Sequence, residues 1–174
     1  HFSKAKGQNF LIASWVPEAI ASTVAEGRGV LETGPGIGPL TQQLCLRAKK
    51  VCAVELDKRL APILEKTVGE FSNLEIIWDD VLNQDVPTLV KEKFHGLRPM
   101  ACANLPYYIT TPIIMKLLET DTGAESITVM MQKEVGDRIA AEPGTKLAGA
   151  ITYSVHYYAD VTEITDAGRE CFYP

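Results

Sequence analysis

Short apolar runs alternate with amphipathic segments along this chain. Gly29-Val-Leu-Glu-Thr33, Val51-Cys-Ala-Val-Glu55, Leu74-Glu-Ile-Ile-Trp78, Pro99-Met-Ala-Cys-Ala103 and Ser126 to Met131 read as strands. Pro39 to Ala48, Lys58 to Phe71, Thr111 to Leu118 and Lys133 to Ala141 read as helices between and after them. Leu60, Ile63, Leu64 and Val68 fall on one helical face, and Pro112 suits a first helical turn. Leu147 to Tyr158 is read as a helix, and Val161 to Ile164 with Glu170 to Tyr173 as a final hairpin. Strands alternating with helices predict parallel βαβ units and a doubly wound α/β sheet. Ligands of such sheets sit beyond the carboxyl ends of the strands, and each motif described below falls at such an end.

Composition agrees with one globular domain. The 174 residues are 46% hydrophobic and 22% charged, which excludes a disordered or collagen-like chain. A chain of this length buries roughly 70% of its unfolded surface, so no disulfide staple is needed. The longest uncharged run, Pro99 to Met115, holds three prolines and does not read as a membrane span. No secretory signal opens the chain. Cys45, Cys52, Cys102 and Cys171 are scattered, with no C-x-x-C pair and no histidine at ligand spacing. They predict packing roles in a reducing, cytoplasmic compartment and no bound metal. The net charge is −5, unlike a generic nucleic-acid-binding domain. Residues 1–50 nevertheless carry six Lys/Arg against three Asp/Glu, so any polyanion would be met from that end.

Three strand ends hold candidate chemistry for a nucleotide-like ligand. Glu32-Thr-Gly-Pro-Gly-Ile-Gly38 links the first strand to a helix. Gly34 and Gly36 allow a tight turn and close ligand approach, and Gly38 a close helix start. Glu55 ends the next strand, where an acid can accept bonds from both ribose hydroxyls. A dinucleotide loop reads G-x-G-x-x-G and faces a pyrophosphate. The G-x-G-x-G spacing here, with an acid two residues ahead, suits S-adenosylmethionine, which has no phosphate. Glu32 would help to bind its ammonium group or orient the loop. Asp79 and Asp80 follow the third strand, and Asp80 is the favoured acceptor for the adenine amino group. The plainer reading makes these acids strand-end caps.

Asn104-Leu-Pro-Tyr107 closes the fourth strand. The amino group of a base is a poor nucleophile because its lone pair is delocalised into the ring. Two acceptors can hold its N–H bonds and favour a more tetrahedral nitrogen. The Asn104 side-chain oxygen supplies one, and a backbone carbonyl near Leu105 or Pro106 the other. Pro106 restricts the local chain, and Tyr107 offers a face for a purine. No strong general base is required, since the nitrogen turns cationic as the methyl arrives. The plainer reading is a turn with an aromatic plug.

Together these residues resemble the ribosomal RNA adenine N6-dimethyltransferases of the KsgA/RsmA type, over almost the whole chain. Lys6-Gly-Gln-Asn-Phe-Leu11 is similar to the family's opening motif, and Leu31 to Gly38 to its cofactor loop. Val54-Glu-Leu-Asp57 is similar to its ribose-binding strand end, and Asn104-Leu-Pro-Tyr-Tyr-Ile-Thr-Thr-Pro112 to its catalytic motif. Met131-Gln-Lys-Glu134 and Tyr157-Tyr158 fit later segments.

The resemblance implies a mostly parallel, seven-stranded Rossmann-like sheet of the S-adenosylmethionine-dependent methyltransferase type. It implies a donor site formed by Asn9, Leu11, Gly34, Gly36, Glu55, Asp80 and Asn104, with Asn9 and Leu11 as a lid over the methionine part. Asn104, Pro106 and Tyr107 would hold the target adenine, with Phe172 on its other face. Glu134 would be structural. The implied reaction dimethylates N6 of two adjacent adenosines in the 3′-terminal hairpin loop of small-subunit ribosomal RNA, a step of ribosome biogenesis. A loop suits such an enzyme because unstacking an unpaired base costs less than opening a duplex.

The implied partner is that RNA within immature small subunits, the implied enzyme a cytoplasmic monomer without a membrane or metal. Residues 1–174 would be the catalytic domain alone, and the small helical RNA-binding domain of the family would lie outside this chain. The alternatives are a large-subunit methyltransferase of the macrolide-resistance type, a non-catalytic nucleic-acid-binding relative and a nicotinamide-dependent oxidoreductase.

Overall fold

The structure, a computed structural model, describes residues 10–105 and 108–173. In chain order the elements are β1 (Phe10–Leu11), α1 (Trp15–Ser22), β2 (Gly29–Thr33), α2 (Pro39–Arg47) and β3 (Lys50–Val54). A 3-10 turn at Lys58–Leu60 leads into α3 (Ala61–Val68), followed by β4 (Leu74–Ile77). A second 3-10 turn, Val81–Asn83, precedes α4 (Val86–Phe94) and β5 (Pro99–Asn104). Then come α5 (Thr110–Glu119), β6 (Ile127–Met130), α6 (Lys133–Ala140), α7 (Ala150–Tyr158) and β7 (Phe172–Tyr173).

Five strands form one parallel sheet in the order β4-β3-β2-β5-β6. The chain steps outward from β2 to β4, then crosses back to place β5 on the other side of β2. The order therefore reverses between β2 and β5, the point where such sheets open a crevice. All five residues of β2 are buried. Successive side chains of a strand face opposite sides, so each strand feeds two cores. Leu31, Cys52, Val54, Ala101 and Ala103 pack with α4 and α5 through Val90, Phe94, Ile113 and Leu117. Val30, Val51, Met100 and Cys102 pack with α1 and α2 through Val16, Ile20, Leu40 and Leu44. Burial on both faces explains why these strands read as continuous apolar runs.

The expected seven-stranded sheet is corrected to five strands among the described residues. The remaining two, β1 and β7, form a separate antiparallel ribbon in which Leu11 pairs with Phe172. The expected hairpin of Val161–Ile164 with Glu170–Tyr173 does not form. Residues 161–164 are largely exposed and carry no strand, and β7 finds its partner at the other end of the sequence. The ribbon continues through Ile12 and Ala13, whose N–H groups both donate to the Cys171 carbonyl. The first turn of the helix expected from Lys58 is the 3-10 segment, capped by the Asp57 carboxylate at Arg59 N. The helix expected from Leu147 starts at Ala150.

Two helices lie outside the sequence reading, α1 and α4. Helix α4 has a clear basis: Asp85 caps it at Thr88, Pro87 sits in its first turn, and Val86, Leu89, Val90 and Phe94 face inward. All four cysteines are buried free thiols, as their packing role requires. Burial pushes Cys45 and Cys102 up to about 12 and Cys52 up to about 11. Among the described residues no helix is long and apolar enough to cross a membrane.

Leu44 of α2 is fully buried in the cluster that α1 and α2 form with the sheet. Leu44→Ala is expected to cost about 2–5 kcal/mol, read as a lower denaturation midpoint in urea at unchanged slope. A loss under about 1 kcal/mol would show that α2 is not anchored there.

Candidate active site at the strand tips

The parallel register brings three motifs to one level. Thr33 pairs with Val54 on one side and with Ala103 on the other. The next residue of each strand is Gly34, Glu55 and Asn104, so all three lie at neighbouring tips. With strands roughly 4.8 Å apart, Glu55 and Asn104 flank the glycine loop at roughly 10 Å from each other. Asp80 follows β4, the strand beyond Glu55. Across the sheet the order is Asp80, Glu55, the glycine loop and Asn104.

The loop is held open by its backbone geometry. Gly34, Gly36 and Gly38 adopt φ of 71°, 61° and 96°. At Gly38 a side chain is excluded twice, by φ and by contact, since a Cβ would meet Thr67 Oγ1 at 2.9 Å. At Gly36 the turn aims the backbone N–H at Glu55 Oε2, 3.1 Å away. Asp57 N–H donates to the other oxygen, Oε1, at 2.8 Å. Glu55 is buried, so these two bonds fix a carboxylate between the loop and β3. Gly34 N–H adds a bond to the Val54 carbonyl at 3.0 Å. The sequence signals Glu55 as a ligand acceptor; its bond to the loop needed the fold to bring them together.

The two acids after β4 are engaged differently. Asp79 accepts Asp80 N–H at 2.7 Å and Gln84 Nε2 at 2.5 Å, one on each oxygen. Asp80 accepts Leu82 N–H at 2.9 Å on Oδ1, and its Oδ2 has no partner among the described residues. Asp80 is thus the acid with an acceptor to offer. Asn104 is half-buried, and its carboxamide likewise has no partner among the described residues. Leu105 N–H is taken by the Met130 carbonyl, which pins the chain just past Asn104. Pro106, Tyr107 and Asn9 lie outside the described residues.

Leu11 is turned into the apolar cluster with Val16 and Leu40, and its pairing with Phe172 sets these two candidate residues side by side. Phe172 is half-buried against the same cluster. Glu134 sits in the first turn of α6, where a carboxylate favours the helix dipole.

Glu32 lies behind the loop, fully buried, between Cys102 and Ala53 in register. Neither of its oxygens has a hydrogen-bond partner among the described residues, and the Thr33 and Thr41 hydroxyls share that state. Burial lifts its carboxyl from about 4.5 to about 8; the nearby Thr41 hydroxyl opposes the rise and the Glu55 charge adds to it. The folded protein therefore holds this proton more tightly than the unfolded chain does. That stability is complete below about 4.5 and is lost as pH climbs to about 8. Thermal melts from pH 5 to 8 are expected to show a falling midpoint in the native protein and a flatter profile in Glu32→Gln. Parallel profiles would mean that Glu32 is already ionised at neutral pH.

A row of acceptors beside a glycine loop that a ligand can approach closely suits an elongated, uncharged or cationic nucleoside. No group of His, Cys, Asp and Glu among the described residues could hold a metal ion.

Comparison with known proteins bears on this arrangement. The family model described as ribosomal RNA adenine dimethylase matches residues 1–174. A curated relative from Alkaliphilus oremlandii, named ribosomal RNA small subunit methyltransferase A, is 48% identical over 99% of this chain and 61% of its own length. One of the same name from Clostridioides difficile is 47% identical, with the same coverage. The chain thus spans about three-fifths of these relatives. Among solved structures, a dimethyladenosine transferase from Plasmodium falciparum superposes with a TM-score of 0.75 at 27% identity, over 94% of this chain and 57% of that one. The 23S rRNA methyltransferase ErmE superposes with a TM-score of 0.64 at 30% identity, over 78% of this chain and 53% of that one.

Proposed function

The chain belongs to the ribosomal RNA adenine dimethylase family, and from that premise we propose that it transfers methyl groups from S-adenosylmethionine to N6 of two adjacent adenosines. The target is the 3′-terminal hairpin loop of small-subunit ribosomal RNA, met in immature subunits. The observation that carries this reading is the order of groups across the strand tips. Asp80, Glu55 and the glycine loop follow the order adenine, ribose and sulfonium with its amino-acid arm, and Asn104 lies one strand further on, where the sulfonium methyl would face the target amine.

The residues fit that donor by their own chemistry. Asp80 Oδ2 accepts from the adenine amino group. Each Glu55 oxygen keeps acceptor capacity beyond its backbone bond, enough for the ribose hydroxyls. The glycine loop lets the amino-acid part approach the backbone, and Asn9 and Leu11 cover it. When bound, S-adenosylmethionine supplies an electrophilic methyl group on a sulfonium.

On the acceptor side the chain's work is positioning. Asn104 Oδ1 takes one N–H of the target amine, and a carbonyl at Leu105 or Pro106 takes the other. Tyr107 and Phe172 flank the base. Held so, the nitrogen lone pair leaves the ring and lines up with the methyl carbon. With the donor bound, the N–C bond would form as the C–S bond broke, S-adenosylhomocysteine would leave, and the proton of the resulting cation would pass to water. Proximity of this kind can supply roughly 7–11 kcal/mol.

The naming of 47–48% identical relatives as small-subunit enzymes favours this target over the large-subunit branch, to which ErmE belongs by its name. The intact Asn104-Leu-Pro-Tyr107 motif and glycine loop favour catalysis over binding alone.

Asn104→Ala is expected to weaken donor binding only a few-fold in calorimetry. Methyl transfer from labelled donor to immature small subunits should fall by roughly 10²-fold or more, with the modified nucleotides mapped in parallel. Retained transfer would remove Asn104 from the mechanism, and binding of NAD in place of the donor would overturn the cofactor reading.

A further inference from the structure

Lys116 links helix α5 to the turn that follows β4. It is half-buried on α5, the helix that begins six residues after Asn104. Its Nζ reaches across to the Leu82 carbonyl at 2.7 Å. Among the described residues it has no carboxylate within ion-pair distance, whereas Arg28, Lys50, Arg59, Lys93, Arg98 and Lys133 all do. The Lys116 charge also favours the ionised Asp85 carboxylate through space, and its one described hydrogen bond is to the Leu82 carbonyl.

That carbonyl belongs to the turn that presents Asp80. Leu82 N–H donates to Asp80 Oδ1 at 2.9 Å, so Leu82 is held at both ends, by Asp80 and by Lys116. The peptide unit that offers its carbonyl to Lys116 offers its N–H, at Asn83, to the Asp80 carbonyl at 3.0 Å. Charge on the oxygen side polarises that peptide and strengthens its N–H bond. Lys116 therefore acts on the backbone orientation of Asp80 through two linked hydrogen bonds.

We propose that Lys116 is a positioning residue that fixes the Asp80 turn against the helix following the Asn104 motif, and so sets the selectivity of the donor site for a 6-amino purine. It rests on the reading of Asp80 as acceptor for the donor's adenine. In that role Lys116 ties the far end of the donor site to the element that carries the acceptor site, with β3 and β2 between them.

The test compares two ligands in each variant of the 174-residue chain. S-adenosylhomocysteine carries the 6-amino group, and its inosine analogue carries a 6-oxo group in its place. The ratio of their two dissociation constants is unaffected by any loss of folded protein, because both ligands see the same fraction. The native chain is expected to prefer the adenine ligand about tenfold, the scale of one lost hydrogen bond facing an unpaired acceptor. Lys116→Met keeps the aliphatic stem and should reduce the preference to under about threefold, while Lys116→Arg, which can reach the same carbonyl, should keep most of it. Asp80→Ala should abolish it. Full preference in Lys116→Met beside its loss in Asp80→Ala would overturn the role of Lys116 alone. No preference in the native chain, or full preference in Asp80→Ala, would overturn the reading of Asp80 and this proposal with it.

Discussion

Glu55 holds two backbone N–H groups that the chain could not otherwise bring together, Gly36 from the loop after β2 and Asp57 from the turn after β3. A carboxylate in a buried position must be satisfied, and here the partners are the loop itself. The clasp therefore shapes the turn before any ligand arrives. It works only because parallel pairing sets Gly34 and Glu55 at the same level. A shift of register by one residue would turn Glu55 away and expose the apolar face of β3.

This dependence explains how much of the molecule is legible in the sequence. All five strands of the sheet are readable, because burial of the central three leaves runs with few polar residues, and the tips of β2, β3 and β4 carry glycine or acid. The acids after β4 are legible as a pair; only the hydrogen bonds separate them, by occupying both oxygens of Asp79 and one of Asp80. Helix α4 escaped a reading based on strands, although its cap and spacing are present. Of the ribbon only the strand within Glu170 to Tyr173 is legible, and its partner is not. Two-residue strands carry no periodicity, and the pairing of Leu11 with Phe172 spans almost the whole chain. Lys116 was equally silent, because a lysine on a helix looks solvated until its partner is known.

The interior behind the loop shows the opposite economy. Glu32, Thr33 and Thr41 are buried without a hydrogen-bond partner among the described residues, in a place where apolar side chains would pack at lower cost. Unpaired polar groups concentrate where function constrains sequence, and these sit beneath the glycine loop. The proton on Glu32 keeps the arrangement tolerable at neutral pH.

The strand order also bears on how the molecule is made. As the polypeptide emerges from the ribosome, β3 and β4 can assemble on one side of β2 well before β5 exists to cover the other. During that interval β2 presents an open edge of apolar residues, the kind that recruits stray strands from other chains. β5 closes that edge as it is made, since its register with β2 pairs every residue from Gly29 to Thr33.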